Sequence, residues 1–283
     1  MAMDFVDGLL NVCGLLLWVH GRASRSEEVA RAAGISLLAT LKRPAGERQV
    51  GWPSILALIL LLAGRSVVYW QAGVALGWTP RLRLGAVVLP FRTDVWWHAL
   101  VYSGLSFGWW FLGFYLWLLL LSCLKGNGVE RDIVSRLVRF HLGPVDRWPA
   151  PVKLLLPPVL GFVLWLAVGS LLIRGGWFPA PRSWGHWIQQ AVVLGAGTYL
   201  TWKYLLAGLL LLHLLNSHIF LGNHPAWIWV NQAARLLLWP VRWIPLRLGK
   251  LDLVPVAGIA LWFLVAELAE GGLIRVYQQL PLG

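Results

Sequence analysis

Four charged side chains lie inside apolar runs, and they are the first candidates for chemistry. Arg65 sits deep in the run that starts at Trp52. Lys203 sits in the run from Ile188 to Leu215, and Glu267 and Glu270 in the run from Leu253 to Ile274. An ionised group is costly in hydrocarbon. Such residues are therefore paired, snorkel to the interface, or serve an ion or proton path. Lys203 and Glu267 fall at similar depth in neighbouring runs. A structural ion pair between two helices is the preferred use of these two, with snorkelling of Lys203 and a relay left open. Arg65 is the remaining ion-pair candidate and the main polar residue near mid-membrane.

Other chemistry finds little support. His213, His218 and His224 have neither HxxxH nor HExxH spacing, and no carboxylate lies between them. His98 and His186 lie near the ends of their runs. They could approach as axial ligands, although interfacial hydrogen bonding is their ordinary use. Cys13 and Cys123 lie in apolar runs without CxxC spacing and are expected to pack. No nucleophile elbow and no phosphate-binding glycine loop occurs. No metal, cofactor or enzymatic activity is expected. Gly104 and Gly108 form a GxxxG pair suited to close helix approach, and Gly195 to Gly197 form a looser small-residue group.

The elements that must hold these residues follow from composition. Hydrophobic residues make up 58% and charged residues 13% of the 283 positions. Soluble domains carry about 25% charged residues. The net charge of +12 would suggest nucleic acid in a soluble chain, but here its place relative to the apolar runs decides. A membrane helix needs about 20 mostly apolar residues. Six runs qualify, at Phe5–His20, Trp52–Leu76, Trp96–Leu124, Leu154–Ile173, Ile188–Leu215 and Leu253–Ile274. The first is short and contains Asn11. Acidic Asp4 and Asp7, with no cleavage site after the run, predict that it is retained. Strand alternation of the barrel kind is absent, so the expected fold is an all-α, polytopic helical membrane protein. The 20 tryptophans suit interfacial belts.

Basic residues set the orientation. Arg22, Arg25, Arg31, Lys42, Arg43 and Arg48 follow the first span. Lys125, Arg131, Arg136, Arg139, Arg147 and Lys153 follow the third, and Arg235, Arg242, Arg247 and Lys250 the fifth. These outnumber the basic residues of the opposite side, which places them in the cytoplasm and both termini outside. If the first segment is only interfacial, the N-terminus moves inside. Ser24-Arg25-Ser26-Glu27 reads as a capping box opening an amphipathic helix over 24–42, set either on the membrane surface or against other loops.

An internal repeat organises the rest. Arg136, Pro144, Arg147, Pro149 and Pro157-Pro158 precede the fourth span. Arg235, Pro240, Arg242, Pro245 and Pro255 precede the sixth at a nearly constant offset, and Gly126-Asn127 corresponds to Gly222-Asn223. The prolines are expected to stop an interfacial helix and start the next span, where a missing N–H costs least. Both copies would run in the same direction. Arg136, Arg139, Arg147, Arg235 and Arg247 would then meet lipid phosphates or acidic partners. Asp252, one turn before Pro255, is expected to cap the sixth span, or to pair with Arg242 or Arg235.

The second copy resembles the YggT family of small membrane proteins. The resemblance rests on Asn223-His224-Pro225, then Pro240-Val241-Arg242 with Pro245, then Gly249, Asp252 and Pro255 before an apolar run. Val254 replaces the family's usual Ser, and His213 stands at the family's Arg. The first copy is degenerate and lacks the Asp. The likeness implies an N-terminal extension over 1–94 and tandem units over 95–175 and 186–275. It implies a non-enzymatic scaffold or assembly factor of the bacterial cytoplasmic (inner) membrane. The expected partners are anionic lipid headgroups and other membrane proteins, with no specific nucleic acid. A small-solute or ion transporter or channel component is the alternative, and an enzyme on lipid or haem substrates has no named catalytic group.

Overall fold

The structure is a computed structural model. It describes residues 2–32, 52–85, 87–124, 133–181, 183–218, 225–241, 243, 247–248 and 251–280. Six helical segments are long and apolar enough to cross a membrane: Met3–Arg22, Trp52–Leu76, Trp96–Cys123, Ala150–Arg174, Trp184–Ser217 and Val254–Gln279. The chain is an all-α, multi-pass membrane protein. Exposed tryptophans mark span ends, as at Trp52, Trp96 and Trp184. There an amphipathic ring meets the headgroups.

The chain forms two compact units. The first comprises Met1–Leu82 and Pro90–Phe111, the second Arg83–Leu89 and Leu112–Gly283. This division falls within a helix. The first unit holds α1 (Ala2–Ala32), α2 (Trp52–Leu76) and the first half of α3 (Trp96–Cys123). Helix α1 runs unbroken through Ser24, so the capping-box reading of Ser24 to Glu27 is overturned. The proposed amphipathic helix beyond residue 32 lies outside the described residues. Helix α2 ends at Gly77, whose φ of +59° suits a residue without Cβ. The Trp78 N–H then bonds back to the Gly73 carbonyl at 3.0 Å, which turns the indole over the helix end. A short hairpin, β1 (Arg81–Leu84) with β2 (Val87–Pro90), follows.

The second unit holds the rest of α3, then α4 (Ile133–Leu142), a 3-10 turn (Gly143–Arg147) and α5 (Ala150–Arg174). Next come α6 (Trp184–Gly197), a 3-10 segment (Thr198–Thr201), α7 (Trp202–His218), α8 (Pro225–Leu237) and α9 (Val254–Gln279). Helix α8 is short and two-faced. Trp229, Val230, Ala233, Ala234 and Leu237 recur at helical spacing and are buried with Leu116, Leu206 and Leu210. Helix α4 likewise buries Ser135, Val138 and His141 and exposes Arg136, Leu137 and Arg139.

The proline expectation is corrected at α5. That helix starts at Ala150, so Pro157 and Pro158 lie inside it rather than at its start. Pro158 cannot donate to the Leu154 carbonyl one turn back. The Tyr199 hydroxyl donates to that carbonyl instead, at 2.5 Å. Helices α5 and α6 cross closely at the same level. A Cβ on Gly161 would stand 2.9 Å from Gly195 Cα, and one on Gly195 would stand 2.5 Å from the Pro158 carbonyl oxygen. The GxxxG pair is corrected too. Gly104 and Gly108 are exposed, and a Cβ at either would meet nothing within 4 Å. Within the chain the close approach occurs at Gly161 and at Gly195, a member of the looser small-residue group.

The cap position of α9 falls on Leu253, one residue after Asp252. Asp252 stands in β4 (Leu251–Asp252), opposite Arg247 of β3 (Arg247–Leu248) in an antiparallel pair. Leu253 makes no side-chain cap bond, since its side chain carries no acceptor. Pro255 follows in the first turn and is buried.

Gly195→Leu is expected to lower stability in detergent by about 1–3 kcal/mol, the cost of overpacking. Gly108→Leu should leave it unchanged, as read by the thermal midpoints of the two variants. Tyr199→Phe should cost about 1–3 kcal/mol in the same assay, because it strands the Leu154 carbonyl.

Candidate functional site

The densest polar cluster lies within the first unit. On α1, Asp7 and Asn11 are one turn apart and share a buried face. On α2, Arg65, Tyr69 and Gly73 repeat at the same spacing and are buried. On α3, Tyr102, Ser103 and Ser106 face inward. The Asp7 carboxylate accepts from Tyr69 Oη at 2.7 Å, Ser106 Oγ at 2.9 Å, Tyr102 Oη at 3.1 Å and Asn11 Nδ2 at 3.2 Å. Arg65 Nη1 stands 3.7 Å from Asp7 Oδ1.

Arg65 has a side chain only 1% exposed, yet each guanidinium nitrogen has a partner. Nε donates to Ser103 Oγ at 2.6 Å, Nη1 to Asn11 Oδ1 at 2.7 Å, and Nη2 to the Ser103 carbonyl. Ser103 Oγ passes its own proton to the Leu62 carbonyl at 2.8 Å. A planar guanidinium suits this fork, and an ammonium would not. The cluster is an ion pair saturated with hydrogen bonds, the condition under which charges persist away from water. Edge-to-face contacts of Tyr69, Trp78 and Tyr102, with centroids 5.2–5.9 Å apart, close one end of it. Trp78 Nε1 also donates to Asp4 at 3.2 Å.

Two further clusters occupy the second unit. Lys203 Nζ lies 3.2 Å from Glu270 and 3.5 Å from Glu267. The anticipated partner Glu267 is therefore one of two carboxylates on a single ammonium, and Glu270 is the nearer. At the base of α5, buried Lys153 donates to Ser122 Oγ and to the Asp146 carbonyl, each at 2.7 Å. Ser122 donates to Asp146 Oδ1 at 2.6 Å, and Arg139 reaches Asp146 Oδ2 at 3.9 Å. Lys153 thus ties α3, the 3-10 turn and α5 together.

The remaining sequence candidates are dispersed. Pro225 starts α8, while Pro240 is exposed in the turn after it. Arg242 and Pro245 lie outside the described residues. Arg136, Arg139, Arg147 and Arg235 are exposed, and Arg247 is placed by its backbone in β3. His213 Nδ1 shares a hydrogen bond with Asn231 Oδ1 at 2.8 Å, linking α7 to α8. His186 pairs with Gln190 at 3.0 Å. Among the described residues, no group of three or more His, Cys, Asp and Glu could hold a metal ion, and Cys13 and Cys123 are free thiols. Between α2 and α3, Arg92 grips Asp94 at 2.5 Å, and that hydrogen bond holds the exposed carboxyl below its ordinary range.

Sequence reasoning isolated Arg65 but missed its ring of partners. The available signal was the one-turn spacing of Asp7 and Asn11 inside an apolar run. In sequence alone Asp7 reads as terminal acidity and Asn11 as a weakness of the span. Asp7→Leu alone is expected to cost about 3–5 kcal/mol, because it strands a buried guanidinium. The double variant Asp7→Leu with Arg65→Met should cost clearly less than the two single changes summed. Thermal unfolding in detergent measures the cycle, and strict additivity would show that the pair does not couple. Comparison with family models, with curated proteins and with solved structures returned no match.

Proposed function

We propose that this chain is a non-enzymatic scaffold or assembly factor of the bacterial cytoplasmic membrane, of the YggT type, working through a basic surface in the second unit. The observation that carries this reading is the pairing of two short amphipathic helices. Helices α4 and α8 pack against each other and bury their apolar faces. Their outward sides present Arg136, Arg139 and Arg235, with Arg147 on the adjoining turn. Exposed Trp148, Trp239 and Leu236 accompany the arginines. Arginine beside exposed tryptophan and leucine suits anionic headgroups, where guanidinium meets phosphate and the rings enter the acyl boundary. The positive-inside rule places this surface in the cytoplasm, so the described C-terminal helix ends outside.

The alternative is a transporter or channel component, and it would use the Asp7–Arg65 cluster as its polar centre. The saturation of that cluster favours a clamp over a conducting site. The chain would thus hold its spans rigidly and present a charged platform to partners.

The test replaces Arg136, Arg147 and Arg235 together by Gln and keeps Arg139 with Asp146. The variant is expected to fold with an unchanged thermal midpoint. It should lose its enrichment of phosphatidylglycerol over phosphatidylcholine in native mass spectrometry, and its defined cross-linked complex in native membranes. Proton or ion flux in proteoliposomes that disappears in Asp7→Asn would overturn the scaffold reading in favour of transport.

A further inference from the structure

Among the described residues, two carboxylates on the outward side of α9 share one cation. Lys203 is one ammonium between two carboxylates, Glu267 and Glu270. All three lie near the middle of their spans, Trp184–Ser217 and Val254–Gln279. The next cation along α9 is Arg275, two turns further on. Glu270 is nearer the ammonium and 31% exposed, whereas Glu267 is 66% exposed. Leu264 and Leu268, at helical spacing around it, are 57% and 68% exposed. Gly271 and Gly272 continue this face, and a Cβ at either would meet nothing within 4 Å. Only 6% of the α9 span is buried, against 17–33% in the other five. The helix thus combines an apolar face, a glycine notch that lets another backbone approach, and an exposed carboxylate at membrane depth.

We propose that this face docks a transmembrane helix of another protein, one that presents a lysine or arginine at the depth of Glu267. The incoming cation completes a two-plus-two arrangement with Lys203, Glu267 and Glu270. Charge complementarity selects this occupant over a second copy of the chain. Two copies inserted in the same direction and paired through α9 would set Glu267 against Glu267. The proposal rests on the scaffold reading, since it gives that scaffold a class of partner.

The probe is a labelled peptide of about 20 leucines and alanines with one central lysine. It is incorporated with the full chain in phosphatidylcholine vesicles, a neutral lipid that leaves the arginine surface idle. Energy transfer should report association about 3- to 30-fold tighter than for the same peptide with a central leucine, the range of polar contacts between membrane helices. Glu267→Leu should remove the difference while the thermal midpoint holds, because Lys203 keeps Glu270. Gly272→Leu should weaken association without touching the ion group. Lysine-peptide binding that persists unchanged in Glu267→Leu overturns the proposal, as does self-association of the chain that depends on Glu267. Absent lysine-peptide binding, with native complexes still lost in the arginine variant, would fault this docking face and leave the scaffold reading standing.

Discussion

A bilayer offers a buried charge no water, and the Asp7–Arg65 pair shows how that constraint shapes the first unit. Arg65 can stay ionised only if something else solvates it. Asn11, Ser103 and the Ser103 carbonyl do so, and Asp7 balances the charge. These groups come from three helices, so the ion pair is also the point at which α1, α2 and α3 are held in register. The rest of the interface follows from that register. Gly14 lets Phe107 lie close to α1, and Gly73 gives way to Thr93. A helix set one turn higher or lower would strand the guanidinium, at a cost no apolar contact there could offset.

The second unit solves the same problem for the backbone. Two prolines inside a membrane helix free carbonyls that lipid cannot satisfy. Tyr199 answers for one of them, from a 3-10 segment that interrupts the fifth span. That interruption shortens the backbone pairing, and threonine hydroxyls add to it. Thr198 Oγ1 donates to Gly195 and Thr201 Oγ1 to Thr198, each at 2.7 Å. Trp117 Nε1 reaches the Thr201 carbonyl at 2.8 Å. The internal prolines, the glycine crossing and the 3-10 break therefore meet at one level, where Tyr199 of the break supplies the partner that the Leu154 carbonyl lacks.

How much of this was legible depends on the physics involved. The spans were readable because hydropathy is a property of the chain alone, and even the short first run proved helical from Met3 to Arg22. The charged residues worth attention were readable too, because Arg65 and Lys203 are conspicuous in apolar runs. Their partners were only partly so. Glu267 and Glu270 stood out as charges, whereas tyrosines, serines and asparagine are ordinary in such runs until three helices converge. Helix ends were the least legible. Ser24 looked like a start, yet an unbroken helix runs through it. Local capping chemistry is weak, about 1 kcal/mol, and the continuing helix overrides it.

The order of residues along α1, α2 and α3 also bears on how the protein is made. Asp7 and Asn11 leave the ribosome well before Arg65, Tyr102 and Ser106. During synthesis the first span therefore enters the membrane, or waits at its surface, with an acid and an amide that have no answer yet. Its settled position is decided only when α2 and α3 arrive with the guanidinium and the hydroxyls. The polar cluster can thus close only once all three helices are in place.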